Sequence, residues 1–140
     1  MSIEFHWAAI AAGTVVSMLS GMVWYHPKVF GDKWMKSIKM TQKQADAGAT
    51  MGMIVAVIRS FILSLSLFSI IDVTAAFFSD QSFLENAVGV GAWVGIAIVA
   101  MTMFMHDTFE QRPRYATKVH IFYEIFNIIA VAVAIGVVAG

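Results

Sequence analysis

The chain has 140 residues, 59% of them apolar, with nine basic and nine acidic residues that cancel to zero net charge and no cysteine. Soluble domains run at about 45–50% apolar and about 25% charged residues, so a 13% charged fraction and a mean hydropathy of +0.77 point to lipid as the solvent. The missing sulfur excludes a disulfide scaffold, a thiol nucleophile and a thiolate metal site, and the neutral balance argues against nucleic acid as a partner.

A membrane-crossing helix needs roughly 20 mostly apolar residues at a 1.5 Å rise each. Four stretches qualify, at about 6–25, 51–78, 87–105 and 119–139, without the strict alternation of an outer-membrane barrel strand. The sequence therefore predicts a single all-α integral membrane domain over 1–140, a bundle of four transmembrane helices with the lipid bilayer as its first partner. The first span lacks preceding Lys or Arg, carries Glu4, and ends in Trp24-Tyr25-His26-Pro27 where a cleavable signal peptide would need small residues, so it reads as retained.

Trp24 and Tyr25 suit the headgroup boundary, and Pro27 with Gly31 is expected to break the helix and turn the chain along the surface. Phe30, Trp34 and Ile38 then recur at helical spacing with Lys33, Lys36 and Lys43 pointing elsewhere, which predicts a short interfacial amphipathic helix capped by Asp32. Trp24, Tyr25, Phe30 and Trp34 are its interfacial anchors. Thr41 with Gln44 reads as a capping box opening a further short turn before the second span. The connection after span 1 holds Lys28, Lys33, Lys36, Lys39 and Lys43, and the one after span 3 holds Arg112, Arg114 and Lys118. The connection over 79–86 has Asp80 and Glu85 but no Lys or Arg. Cationic loops stay in the cytoplasm, so both termini should lie outside.

The run Trp24-Tyr25-His26-Pro27-Lys28-Val29-Phe30-Gly31-Asp32-Lys33-Trp34 resembles the W-Y-x-P-x-x-F-G-x-x-W hallmark of a bacterial membrane family known only as domain of unknown function 1761. Thr41, the Phe109-Glu110-Gln111-Arg112-Pro113 segment and Asn127 are similar to further features of that family, and the likeness covers most of the chain. His120 and Glu124 depart from its pattern. The resemblance implies a four-helix fold in a bacterial cytoplasmic membrane and no known activity.

Ionisable groups within spans cost about 2.5–3.5 kcal/mol each at the bilayer centre, so each needs a partner or a purpose. Arg59 in span 2 and Glu124 in span 4 lie at depths of roughly 12 Å and 9 Å from the same side at 1.5 Å per residue. An Arg59–Glu124 ion pair is expected inside the bundle, with His120, Glu124 and Asn127 forming an inward stripe at i, i+4 and i+7 and the four making one buried polar cluster for an ion, a proton or a solute. His26, His106 and Glu110 fall near that level, and His106 with Glu110 has helical i, i+4 spacing that a Zn or Fe site would use. That spacing recurs often by chance, so no metal or other cofactor is predicted. The hydroxyls of Thr14, Ser17, Ser64, Ser66 and Ser69 could line a polar path, but such groups more often bond the preceding turn.

Small residues recur as Gly13-Ser17-Gly21 on span 1, Gly91 and Gly95 on span 3, and Ala132 with Gly136 on span 4. Such stripes let helices approach closely, and three of them suggest a homo-oligomer or a larger membrane complex. The leading expectation is a small transporter-like or channel-like membrane protein. The alternatives are a structural or accessory subunit and, third, a metal-dependent membrane enzyme, although no phosphate loop, nucleophile elbow or H-E-x-x-H template is present and an enzyme is the less favoured class.

Overall fold

The computed structural model describes residues 4–140, and every regular element among them is helical. Helix α1, Trp7–Trp24, starts on His6, whose Nδ1 accepts the Ala9 N–H at 3.2 Å. Helix α1 ends ahead of Pro27 as expected, with His26 extended (ψ 139°), but the chain does not break at Gly31. It widens into one π-helical turn, Pro27–Gly31, closed by the Gly31 N–H to the His26 carbonyl at 3.1 Å, with His26 Nδ1 accepting from the Lys28 N–H. A Cβ at Gly31 would collide with the Tyr25 carbonyl, so this turn requires glycine. Helix α2, Asp32–Ser37, continues directly from it. Asp32 is therefore not its cap: it is the first helical residue and suits that place only by its charge near the helix N-terminus.

Lys39 takes a left-handed conformation (φ 56°) that ends α2. The Thr41–Gln44 capping box forms in both directions, but it opens the 36-residue helix α3, Gln42–Phe77, and not a separate short turn. The helix begins well before Met51 because Gln42 to Thr50 contains good helix formers and no proline, and Gly48 and Gly52 do not stop it. At 1.5 Å per residue α3 is about 54 Å long, well beyond the roughly 30 Å of a hydrocarbon core.

Helix α4, Phe83–Ala92, is opened by a second reciprocal capping box, Ser82 with Glu85. It runs through a π-helical section, Trp93–Ala100, into helix α5, Met101–Phe109, as one continuous rod. Gln111, at φ 53°, turns the chain into helix α6, Arg114–Ala139. Among the described residues, four helices are thus long and apolar enough to cross a membrane: α1, α3, the α4–α5 rod and α6.

The core lies in the half of the molecule away from the Lys-rich segment. Ala9 and Ile10 of α1, Leu67, Phe68 and Ile71 of α3, Ala87 and Val90 of α4, and Ile128, Val131, Ala132 and Ile135 of α6 form one buried cluster. Glycine sets the spacing. A Cβ at Gly13 would press on Ser64, Val131 and Ile135; one at Gly91 would lie 2.8 Å from Ala132 Cβ; one at Gly136 would lie 2.8 Å from Ala87 Cβ. Gly95 backs onto Ile125 and Ile128, Gly21 onto the Tyr123 hydroxyl, and Ser17 is buried against Ser60. All three small-residue stripes are occupied within one chain, because α6 passes between α1 and the α4–α5 rod and must approach both. They therefore give no support to a second copy.

Candidate functional site

The polar residues of α6 are separately partnered and do not form one cluster. His120, Glu124 and Asn127 share a face, as their spacing requires, and each meets a different element. His120 Nε2 accepts the indole N–H of Trp34 in α2 at 2.9 Å. Glu124 Oε2 accepts from Arg59 Nη2 of α3. Asn127, fully buried, has its Oδ1 2.6 Å from the Ser20 hydroxyl of α1. Ser20 has one proton and a second acceptor in reach, the Ser17 carbonyl at 3.0 Å, while Asn127 Nδ2 has no partner among the described residues. The stripe fastens three elements to α6 over two turns.

The hydroxyls do not make a polar path. Thr14 and Ser69 bond the carbonyls of Ile10 and Leu65 one turn back. Ser60 donates to Ser17 at 2.9 Å and Ser64 to the Ile10 carbonyl at 2.7 Å, so these serines join α3 to α1. Beyond them the interior is the apolar core.

On the Lys-rich side of the Ser17–Ser60 contact, α1 and α3 are separated by a groove of about 750 Å³. Met18, Gly21, Met22 and Tyr25 form one wall; Ala45, Ala49, Gly52, Met53 and Ala56 form the other; Trp34 stands at the side, and Arg59, Ser60, Tyr123 and Glu124 form the floor. The Arg59 side chain keeps 36% of its surface exposed and Glu124 keeps 16%; both line the groove, and Arg59 also borders a second cleft with Val55, Ile58 and Ile62. Residues 42–58 of α3 are exposed apart from the half-buried Ala45 and Ala56, because that half of the helix packs on little else. Tyr25 meets Tyr123 and Trp34 edge-on at centroid distances of 5.1 and 5.3 Å.

The remaining candidates are dispersed. His26 caps the π turn, and His106 is exposed near the end of α5. Glu110 closes α5 as its C-cap, its N–H bonded to the His106 carbonyl at 2.9 Å, so the two keep helical i, i+4 spacing, but the Glu110 carboxylate accepts from Arg112 Nε at 2.9 Å. No three His, Asp or Glu side chains converge among the described residues. Trp24 is packed on Phe30 and Phe126 at 4.7 and 5.7 Å, and its indole N–H is buried without a partner, unlike a ring seated for headgroup hydrogen bonding.

Tyr123, Ser20 and Ser60 belong to the site and were not singled out from the sequence. Tyr123 follows the polar stripe as its neighbour, which could have drawn notice; a lone serine in an apolar span carries no such signal. Asp107, next to His106, is 7% exposed, with Oδ1 3.8 Å from Arg112 Nε and Oδ2 unpartnered among the described residues.

A model of the family described as protein of unknown function (DUF1761) matches residues 8–136, and the chain belongs to that family. No curated protein and no solved structure matches it.

Proposed function

We propose that this DUF1761 member is a small integral protein of a bacterial cytoplasmic membrane, of transporter-like type, whose Arg59–Glu124 pair binds a proton, an ion or a small polar solute entering from the cytoplasm. Both termini lie outside, the Lys-rich and Arg-rich connections lie inside, and α2 rests in the interface. The exposed apolar side chains of all four long helices, among them Leu19, Ile54, Ile62, Phe104, Phe122 and Val137, then face lipid. The carrying observation is the placement of the ion pair on the floor of the groove, partly exposed and backed by a packed apolar core. A channel is less well supported, because that core closes the far half. Alternating access by so small a unit would require a second copy, so a homo-oligomer is part of the proposal.

Proteoliposomes holding a pH-sensitive dye test it. An external acid pulse, with valinomycin and potassium to clamp the potential, should acidify the lumen faster with the wild-type protein than with Glu124→Gln. Equal rates would reject the pair as a proton-handling site.

One observation favours the accessory-subunit reading: the exposed half of α3, residues 42–58, is built like a helix awaiting a neighbour. Mild native extraction tests that reading. It requires a stoichiometric polypeptide that is lost on Met53→Arg, and extraction of the chain without one would remove it.

A further inference from the structure

The ion pair carries no net charge, yet it is chemically unfinished on the side that faces the groove. A guanidinium has five N–H donors, and one Arg59 nitrogen is engaged with Glu124. Glu124 Oε1 has no hydrogen-bond partner among the described residues and is not sealed from the groove. A net anion would meet the carboxylate, and a net cation the guanidinium. A group presenting an oxyanion and an N–H-bearing ammonium a few ångströms apart satisfies both at once, by charge-assisted hydrogen bonds.

The surroundings select how that group is carried. The walls beside the pair are apolar or small, with Met22 59% and Met53 50% exposed along the opening. The unpacked half of α3 leaves the groove open sideways, toward lipid in the orientation proposed above, and its volume of about 750 Å³ lies within the ~300–1,000 Å³ of small-molecule sites. Tyr25 is already packed edge-on against Tyr123 and Trp34, so these rings do not form an open cage for a quaternary ammonium, and the cation must be recognised through its N–H groups at Glu124.

We infer that the groove between α1 and α3 binds a zwitterionic phospholipid of the phosphoethanolamine class, phosphate on Arg59, primary ammonium on Glu124 and acyl chains leaving sideways into lipid through the open flank of the groove. This rests on the groove as a binding site but not on transport.

Binding of dioctanoyl lipids to the purified full chain in maltoside detergent, read by native mass spectrometry, tests the inference. Dioctanoyl-phosphatidylethanolamine should bind about tenfold more tightly than the phosphatidylcholine, which lacks the N–H donors, and than the phosphatidylglycerol, which lacks the cation. Glu124→Gln should abolish the preference for ethanolamine over choline. Gly52→Leu, at a position where an added Cβ meets nothing within 4 Å, should fold and lose binding by filling the groove. Equal binding of the three lipids, or a preference untouched by both variants, overturns the inference. Free phosphoethanolamine binding as tightly as the lipid overturns the choice of a lipid over a soluble zwitterion. Glu124-dependent proton flux in the proteoliposomes would survive either result, so the two readings fail separately.

Discussion

Trp34 donates its indole N–H to Nε2 of His120 at 2.9 Å, joining α2 to α6 between residues 86 positions apart. Imidazole accepts at that nitrogen only while neutral, so the bond exists only when the ring carries its proton on Nδ1. Its stabilisation is present while the ring is neutral and is lost when acidification adds the second ring proton. Acidification should free α2 from the side of the groove. Iodide quenching, taken as the difference between wild type and Trp34→Phe, should rise as the pH is lowered. His120→Gln retains an acceptor that does not titrate and should flatten the response; an unchanged response in that variant would remove the latch.

The Arg59–Glu124 pair predicts a non-additive cycle. Replacing Arg59 with Met leaves a half-buried carboxylate without its cation and should cost about 1–3 kcal/mol; Glu124→Gln should cost less, because an amide oxygen still accepts from the guanidinium. Replacing both should cost less than the sum, since neither variant then strands a charge. Unfolding in mixed micelles would measure the coupling. Strict additivity would mean that the contact is incidental.

The pair was legible in the sequence because two rare charges at equal depth in apolar spans have few other solutions. The four spans were legible for a similar reason, since hydropathy acts over twenty residues and tolerates local error. The partners of His120 and Asn127 were not. Trp34 fitted an amphipathic pattern that seats it toward headgroups, and only the path of the π turn through Gly31 swings it against α6. Ser20 is indistinguishable in sequence from the hydroxyls that bond their own helix. The start of α3 was misplaced because hydropathy marks where apolar residues begin, whereas Thr41 and Gln44 mark where hydrogen bonding begins. The small-residue stripes were visible, but a one-dimensional pattern cannot assign them to a contact within the chain or between copies.

Glycine positions give opposite predictions within one chain. Gly91→Val places bulk against Ala132 Cβ and the Ile129 backbone, neither of which can swing away, and should cost about 1–3 kcal/mol. Gly48→Ala and Gly89→Ala add a methyl where nothing lies within 4 Å, and a helical Gly→Ala change should stabilise by about 0.5–1 kcal/mol. Thermal unfolding in one detergent ranks the three. A destabilised Gly48→Ala would show that the exposed half of α3 has a close neighbour in the assembled protein.

The orientation is directly testable because the chain has no cysteine, so any single introduced thiol is the only one present. Gln81 lies exposed between α3 and α4, and Lys36 lies exposed on α2. If cationic connections stay inside, Gln81→Cys should react with a membrane-impermeant maleimide in intact spheroplasts, and Lys36→Cys only after the membrane is opened. The two positions sit at opposite ends of α3, so a correct result also establishes that the helix between them crosses the bilayer. The reverse pattern would place the groove mouth outside the cell. Arg59 and Glu124 would then receive their ligand from the external face, and the cytoplasmic entry of the proposed function would be wrong while the chemistry of the pair stood.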